Sequence, residues 1–156
     1  MTQSDDHASV PATLVRIDFC SDLDMLPLVD TLSQHIAQTK GLDGESIHWL
    51  QMATREAVVN AIVHGNGNDC RKRVHVEFAS VGDSSRAAVS IRVRDEGSGF
   101  DPASVSDPLA EPNLLRPGGR GLLLMRSVLD DVRFHCSPDG PTEVVLLKRA
   151  AAPAIT

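Results

Sequence analysis

Three polar side chains stand four residues apart in a segment whose apolar spacing predicts a helix from near Glu45 to His64. They are Glu56, Asn60 and His64. Because four residues turn a helix by only about 40° and advance it by about 6 Å, all three share one face. In one interpretation this face is simply solvated, and His64 is a partner for the helix dipole. In the other, Asn60 offers a neutral oxygen to Mg²⁺, which takes few protein ligands beside phosphate oxygens, and Glu56 handles a water or a hydroxyl.

A carboxylate stands where a predicted strand ends, directly before two closely spaced glycines. Asp95 opens the run Asp-Glu-Gly-Ser-Gly-Phe-Asp (95–101), which contains Gly97 and Gly99. A carboxylate can accept two donors in fixed geometry, such as an exocyclic amine, and glycines let a ring lie against the backbone. Ordinary turn glycines are the alternative interpretation of the same run.

A second glycine cluster, Gly-Gly-Arg-Gly (118–121), leads directly into a helix predicted from Leu122 to about Leu129. Free N–H groups and the positive end of the helix dipole make such a helix start attractive to phosphates. The sequence has no P-loop pattern, and residues 97–99 are no dinucleotide fingerprint because neither a third glycine nor a helix follows them.

The elements that must position these residues follow the order β-α-α-β-β-loop-α-β-β. This order does not alternate strands and helices, so it predicts an α+β, two-layer sandwich with helices on one face of a mixed, mostly antiparallel sheet. Four prolines between Ser98 and Gly119 indicate a binding loop, with a lid at about 103–118. The predicted elements are a strand over 13–19, a helix from a cap at Asp24 to about Lys40, the helix from near Glu45 with Asp43 or Gly44 at its start, a hairpin over 74–93, and strands over 132–136 and 143–148.

Composition excludes several classes of function. The 15 basic and 21 acidic residues give a net charge of −6, and with four Phe, one Trp and no Tyr the chain is a poor nucleic-acid binder. No apolar run approaches the roughly 18 residues of a membrane span. The dispersed cysteines Cys20, Cys70 and Cys136 predict reduced thiols in a cytoplasmic protein, with Cys20 and Cys136 in the core. Residues 1–11 and 150–156 are predicted tails around a domain of residues 12–149.

Three segments, in this order, resemble the boxes of the GHKL (Bergerat-fold) ATPases. The run Glu-Ala-Val-Val-Asn-Ala-Ile-Val-His-Gly-Asn (56–66) resembles the N box, residues 95–101 resemble the G1 box, and residues 119–124 resemble the G2 box. The resemblance extends over residues 12–149. Within that superfamily, the short chain and the phrase over 113–132 are similar to the RsbW/SpoIIAB type, bacterial anti-sigma factors that are also serine/threonine kinases.

The resemblance implies ATP and Mg²⁺ as ligands, Glu56 as the general base, Asn60 as the magnesium ligand and Asp95 as the adenine reader. It also implies a sigma factor and a STAS-type anti-anti-sigma protein as partners, and a homodimer. The candidate nucleotide-binding residues are Asn60, His64, Asp95, Gly97, Gly99, Phe100, Gly119, Arg120, Gly121 and Leu122.

Two other functions are compatible with the same residues. One is an ATP- or ADP-binding switch with little or no kinase activity, and the other is a histidine-kinase-like catalytic module. The glutamate four residues before Asn60 favours a kinase, and the absence of a recognisable phosphoacceptor-histidine helical segment argues against a complete sensor histidine kinase.

Overall fold

In the part of the chain that the structure describes, five strands form one sheet, and α-helices that are named below pack on one of its faces. The computed structural model of the protein describes residues 11–82, 86–98 and 125–152. A 3₁₀ turn (Leu23–Met25) precedes the first helix, a π-helical turn (Ala61–Gly65) follows the second, and residues 125–128 are helical. The main elements are β1 (Ala12–Cys20), α1 (Leu26–Thr39), α2 (Gly44–Asn60), β2 (Arg73–Val81), β3 (Ala88–Arg94), β4 (Asp131–Cys136) and β5 (Thr142–Arg149).

The strand order is β1-β2-β3-β5-β4, and every pair of described neighbours is antiparallel. The α+β prediction is confirmed, but the expected mixed sheet is wrong for the described strands. Tight hairpin connections can join only antiparallel strands, and β2–β3 and β4–β5 are neighbours both in the chain and in the sheet. Two helices in succession join β1 to β2, so the single-helix crossover of a parallel pair is not used.

The core lies between the sheet and the two helices. On β2 the buried residues Val74, Val76 and Phe78 alternate with half-buried or exposed polar residues. The same alternation recurs on β3, so one face of the sheet is apolar and the other is charged. Helix α2 packs on the apolar face through buried residues that include Leu50 and Ala57.

Of the two predicted helix starts, the one at Asp43 is confirmed and the one at Asp24 is wrong. Asp43 caps α2 as expected, since its side chain accepts a hydrogen bond from the Ser46 N–H at 2.7 Å. The predicted cap at Asp24 is wrong. Asp22 has the extended backbone of a cap and accepts from the Asp24 N–H, whereas Asp24 already lies inside the 3₁₀ turn that delays α1 until Leu26.

The end of the second helix also differs from the prediction. The spacing predicted one helix to His64, but the α-helix ends at Asn60 and the chain continues as a π-helical turn. The Asn66 N–H donates to the Ala61 carbonyl at 2.8 Å, which is the i→i+5 bond of a π turn. Single π turns within or at the end of α-helices are frequent at functional sites.

The prediction that Cys20 and Cys136 belong to the core is wrong. Both are exposed free thiols, as is Cys70. On β1 the alternation directs Phe19 into the core and therefore Cys20 away from it, while Cys136 ends the edge strand β4. Within the described residues, no helix combines the length and the apolar character that a membrane span requires.

Candidate functional site

Asp95 lies directly beyond β3, and the backbone fixes its carboxylate. Its N–H donates to the Thr142 carbonyl at 3.1 Å, which extends the β3–β5 ladder by one residue. Its Oδ1 accepts from the Thr142 N–H at 3.0 Å and from the Gly97 N–H at 2.9 Å. The residue is only 4% exposed. The carboxylate is thus buried and held in one orientation by two backbone N–H groups.

Two glycines bring the end of the π turn against this carboxylate. A methyl group on Gly65 would overlap the Asp95 side chain, and one on Gly97 would overlap the Gly65 carbonyl oxygen. Only residues without a Cβ allow this approach of helix end to strand end. The sequence predicted Gly97 as a site residue but assigned Gly65 no role beyond stopping the helix.

Asn66 joins the end of α2 to the ends of three strands. Its Nδ2 donates to the Ser21 Oγ at 2.8 Å and to the Arg73 carbonyl at 2.9 Å. Its Oδ1 accepts from the Glu96 N–H at 2.8 Å. The side chain is 3% exposed, and both of its polar atoms are bonded, so it is a fully satisfied buried amide. We call Asn66 and these three partners the Asn66 clamp.

The Glu96 side chain continues this network on the outer face of the sheet. Its Oε2 accepts from the Arg73 N–H at 2.8 Å, and its Oε1 lies 2.9 Å from the His75 Nε2. The His75 Nδ1 lies 2.6 Å from the Asp18 Oδ1. The Arg73 N–H first, and the His75 ring second, hold the pKa of Glu96 below its ordinary value.

Glu56 and Asn60 are half-buried on α2, and His64 is exposed. Asn60 is the last residue of the α-helix, so it precedes by one turn the glycine that contacts Asp95, and Glu56 lies one turn earlier. Within the described part of the chain, neither the Glu56 nor the Asn60 side chain makes a hydrogen bond or an ion pair. Among the described residues, therefore, no other group competes with a ligand for these two side chains.

Several predicted site residues fall outside the described residues. They are Gly99, Phe100, Gly119, Arg120, Gly121 and Leu122, together with the predicted lid at about 103–118. The described residues contain no group of three or more His, Cys, Asp or Glu side chains that could hold a metal ion. At nucleotide sites Mg²⁺ is usually held by one or two protein ligands together with phosphate oxygens and water.

The sequence did not reveal Asn66, Thr142 or Glu96 as parts of the site. Asn66 carried a weak signal, because it directly follows the glycine that ends the helix and closes the N-box-like run. Thr142 carried none, since its contact with Asp95 depends on the β3–β5 register. Glu96 belongs to the run that follows β3, but no role was predicted for it.

The sequence matches one known family over most of its length. The sequence profile of the histidine kinase-like ATPase domain matches residues 19–148. The serine-protein kinase RsbW of Listeria monocytogenes serotype 4a (strain HCC23) is 28% identical over 119 residues, which cover 72% of this chain and 72% of that protein. The anti-sigma F factor of Bacillus subtilis (strain 168) is 33% identical over 102 residues, which cover 64% of this chain and 66% of that protein.

A solved structure shares the fold. The crystal structure of the RsbU and RsbW domains of Rv1364c from Mycobacterium tuberculosis superposes with a TM-score of 0.61 at 19% identity. The match covers 92% of this chain and 35% of that one, so it concerns about a third of a longer protein.

The contact between Gly65 and Asp95 can be tested by adding one methyl group. Gly65→Ala should displace the Asp95 carboxylate, weaken ATP and ADP binding alike, and lower the free energy of unfolding by about 1–3 kcal/mol. Gly44→Ala is the matched control, because a Cβ at Gly44 meets open space. Calorimetric titration with each nucleotide measures the effect. Unchanged affinity in Gly65→Ala would show that this contact does not shape the binding site.

Proposed function

The chain belongs to the family of histidine kinase-like ATPase domains, and from this membership we propose that it is an ATP-dependent serine/threonine protein kinase and an anti-sigma factor in a bacterial partner-switching system. The names of its relatives, a serine-protein kinase and an anti-sigma F factor, support this proposal. The observation that carries it is the buried Asp95 carboxylate, which accepts two backbone hydrogen bonds and lies against Gly65. Gly65 ends the helical segment that carries Glu56 and Asn60.

Asp95 is proposed to read the adenine base. A carboxylate accepts hydrogen bonds only, so it matches the exocyclic amine of adenine and not the carbonyl that guanine has in that place. Two backbone amides already fix the carboxylate before any ligand binds, and this lowers the entropy cost of recognition. Gly65 and Gly97 carry no Cβ, so only their backbone atoms lie next to the carboxylate.

Asn60 is proposed to bind the Mg²⁺ that accompanies the nucleotide. Its amide oxygen is a hard, neutral ligand of the kind that Mg²⁺ accepts, and its side chain makes no competing hydrogen bond among the described residues. Bound magnesium would neutralise part of the phosphate charge. On sequence grounds, His64, Gly99, Phe100, Gly119, Arg120, Gly121 and Leu122 complete the proposed nucleotide-binding set.

Glu56 is proposed to act as the general base. It stands one helical turn before Asn60 and is half-buried, with no hydrogen-bond partner in the described part of the chain. Its carboxylate would accept the proton of a serine or threonine hydroxyl as that oxygen bonds to the γ-phosphorus of ATP and the bond to ADP breaks. Phosphoryl transfer depends mainly on positioning and charge neutralisation, so one base, one metal ligand and a phosphate cradle suffice.

The proposed partners follow from the family of the relatives. The phosphoacceptor is a STAS-type anti-anti-sigma protein, the second ligand is a sigma factor, and the chain acts as a homodimer in the cytoplasm. The net charge of −6 is unfavourable for direct nucleic-acid binding, in agreement with regulation through protein contacts.

The role of Asn60 predicts a magnesium-dependent loss of affinity. Asn60→Ala should weaken ATP binding mainly when Mg²⁺ is present, because the lost oxygen bonds the metal and not the base. Gln38→Ala, which removes an exposed amide from α1, is the control and should bind normally. Titration with and without EDTA measures the difference. An equal loss in both conditions would make Asn60 a structural residue.

The role of Glu56 separates a kinase from a non-catalytic switch. Glu56→Gln keeps size and hydrogen bonding but cannot take a proton, so phosphorylation of the partner should fall by about 10²–10⁴-fold while ATP affinity stays nearly intact. Glu45→Gln, an exposed change on the same helix, is the control. The assay follows radiolabelled γ-phosphate into the partner that co-purifies with the protein. No transfer by the wild type would reject the kinase, and equal transfer by Glu56→Gln would reject Glu56 as the base.

A further inference from the structure

One histidine on the outer face of the sheet lies between two carboxylates. The His75 Nδ1 is 2.6 Å from the Asp18 Oδ1, and its Nε2 is 2.9 Å from the Glu96 Oε1. A neutral imidazole carries one N–H, so it donates to only one of two ionised carboxylates. The protonated ring carries two and donates to both. His75 on β2 can therefore donate to Asp18 on β1 and to Glu96 after β3 at the same time only when its ring is protonated.

The charged groups around His75 come from every strand that packs beside it. His75 lines an open cavity of about 240 Å³ on this face. Two ion pairs lie nearby, Arg16 with Glu77 at 2.6 Å and Arg92 with Glu143 at 3.6 Å. The groups that face His75 are Arg16 and Asp18 on β1, Arg73 and Glu77 on β2, Arg92 and Arg94 on β3, Glu96 beyond β3, and Glu143 on β5.

Two kinds of charged group lie beside the His75 ring, the Arg94 guanidinium and the two carboxylates. Arg94 stands opposite His75 in the β2–β3 register, so two positive charges face each other when the ring is protonated. Both carboxylates, however, contact the ring nitrogens directly, and a charge-assisted hydrogen bond is stronger than a repulsion across solvent-exposed strands. Among the described residues, Arg94 itself makes no ion pair.

Glu96 transmits this bridge to the proposed nucleotide site. Glu96 lies between Asp95 and Gly97, and strand alternation directs Asp95 inward and Glu96 outward. The Asn66 clamp holds the Glu96 N–H, while the Arg73 N–H and His75 hold its carboxylate. His75 thus helps to fix the backbone from which the Asp95 carboxylate and the Gly97 amide project.

We propose that His75 is a positioning residue for the nucleotide site, acting through Glu96, and that the protein binds nucleotide more tightly when His75 is protonated. This inference rests on the proposed role of Asp95 in nucleotide binding. His75 touches no reacting atom; it stabilises the strand end that presents Asp95. Because all three bridging side chains are more than a third exposed, the coupling is modest.

The test is the pH dependence of ADP affinity, measured by calorimetry on the full chain. Raising the pH from about 5.5 to about 8 deprotonates histidine, so the dissociation constant of the wild type should rise by about two- to five-fold more than that of His75→Gln. Groups that both proteins share, and the ADP phosphates, contribute equally to the two profiles and cancel in this ratio. His35→Gln, an exposed change on α1, should keep the wild-type profile.

Two further measurements make each outcome decisive. Glu96→Gln should remove the same part of the pH dependence, since it removes the carboxylate at the other end of the bridge. In NMR spectra recorded against pH, the midpoint for the His75 ring should move to higher pH when ADP binds. Equal pH profiles for wild type and His75→Gln would overturn the inference. Asp95→Asn tests the underlying function separately: if it leaves ADP affinity unchanged, the proposed nucleotide role fails, whatever His75 does.

Discussion

The buried amide of Asn66 is the contact on which the arrangement of the site depends. It bonds the ends of β1, β2 and β3 from a single position directly after the π turn that follows α2. A buried polar group that loses its partner costs about 1–3 kcal/mol, so an alternative position of the helix end would leave several such groups unsatisfied. The π turn before Asn66 is part of this solution, because its i→i+5 bond sets where the side chain emerges. Helix end and strand ends are thereby fixed relative to one another.

This constraint explains why the candidate site lies where it does. With α2 anchored at Asn66, Gly65 reaches the Asp95 carboxylate, and the helix carries Asn60 and Glu56 on the turns immediately before. Asp95 and Glu96 then face opposite sides of the sheet, one toward the core and one toward the charged outer face. The same short segment after β3 therefore borders the proposed nucleotide site on one side of the sheet and the ion pairs on the other.

Local pattern predicted much of the fold, and contacts that depend on register were not predictable. Alternation in β2 and β3 and the cap at Asp43 are local signals, and the structure confirms them. The predicted cap Asp24 lies inside a 3₁₀ turn that Asp22 caps, and this turn had no signal in the apolar spacing. The helical segment ends at Gly65, one residue from the predicted end, but its last turn is π-helical, which the apolar spacing did not predict. The position of Asp95 at the end of a strand was predictable because the alternation of β3 stops directly before it, whereas the contacts of Thr142 and Asn66 join residues far apart in the chain.

The most direct measurement replaces Asn66 by alanine and follows both stability and ADP affinity. If the amide anchors the helix to three strand ends, the loss of its three hydrogen bonds should lower the free energy of unfolding by about 2–4 kcal/mol. It should also weaken ADP binding by at least about tenfold in the folded variant, since Gly65 and Asp95 lose their fixed relation. Wild-type ADP affinity in a folded, destabilised Asn66→Ala protein would contradict the account, because the site would then form without its anchor.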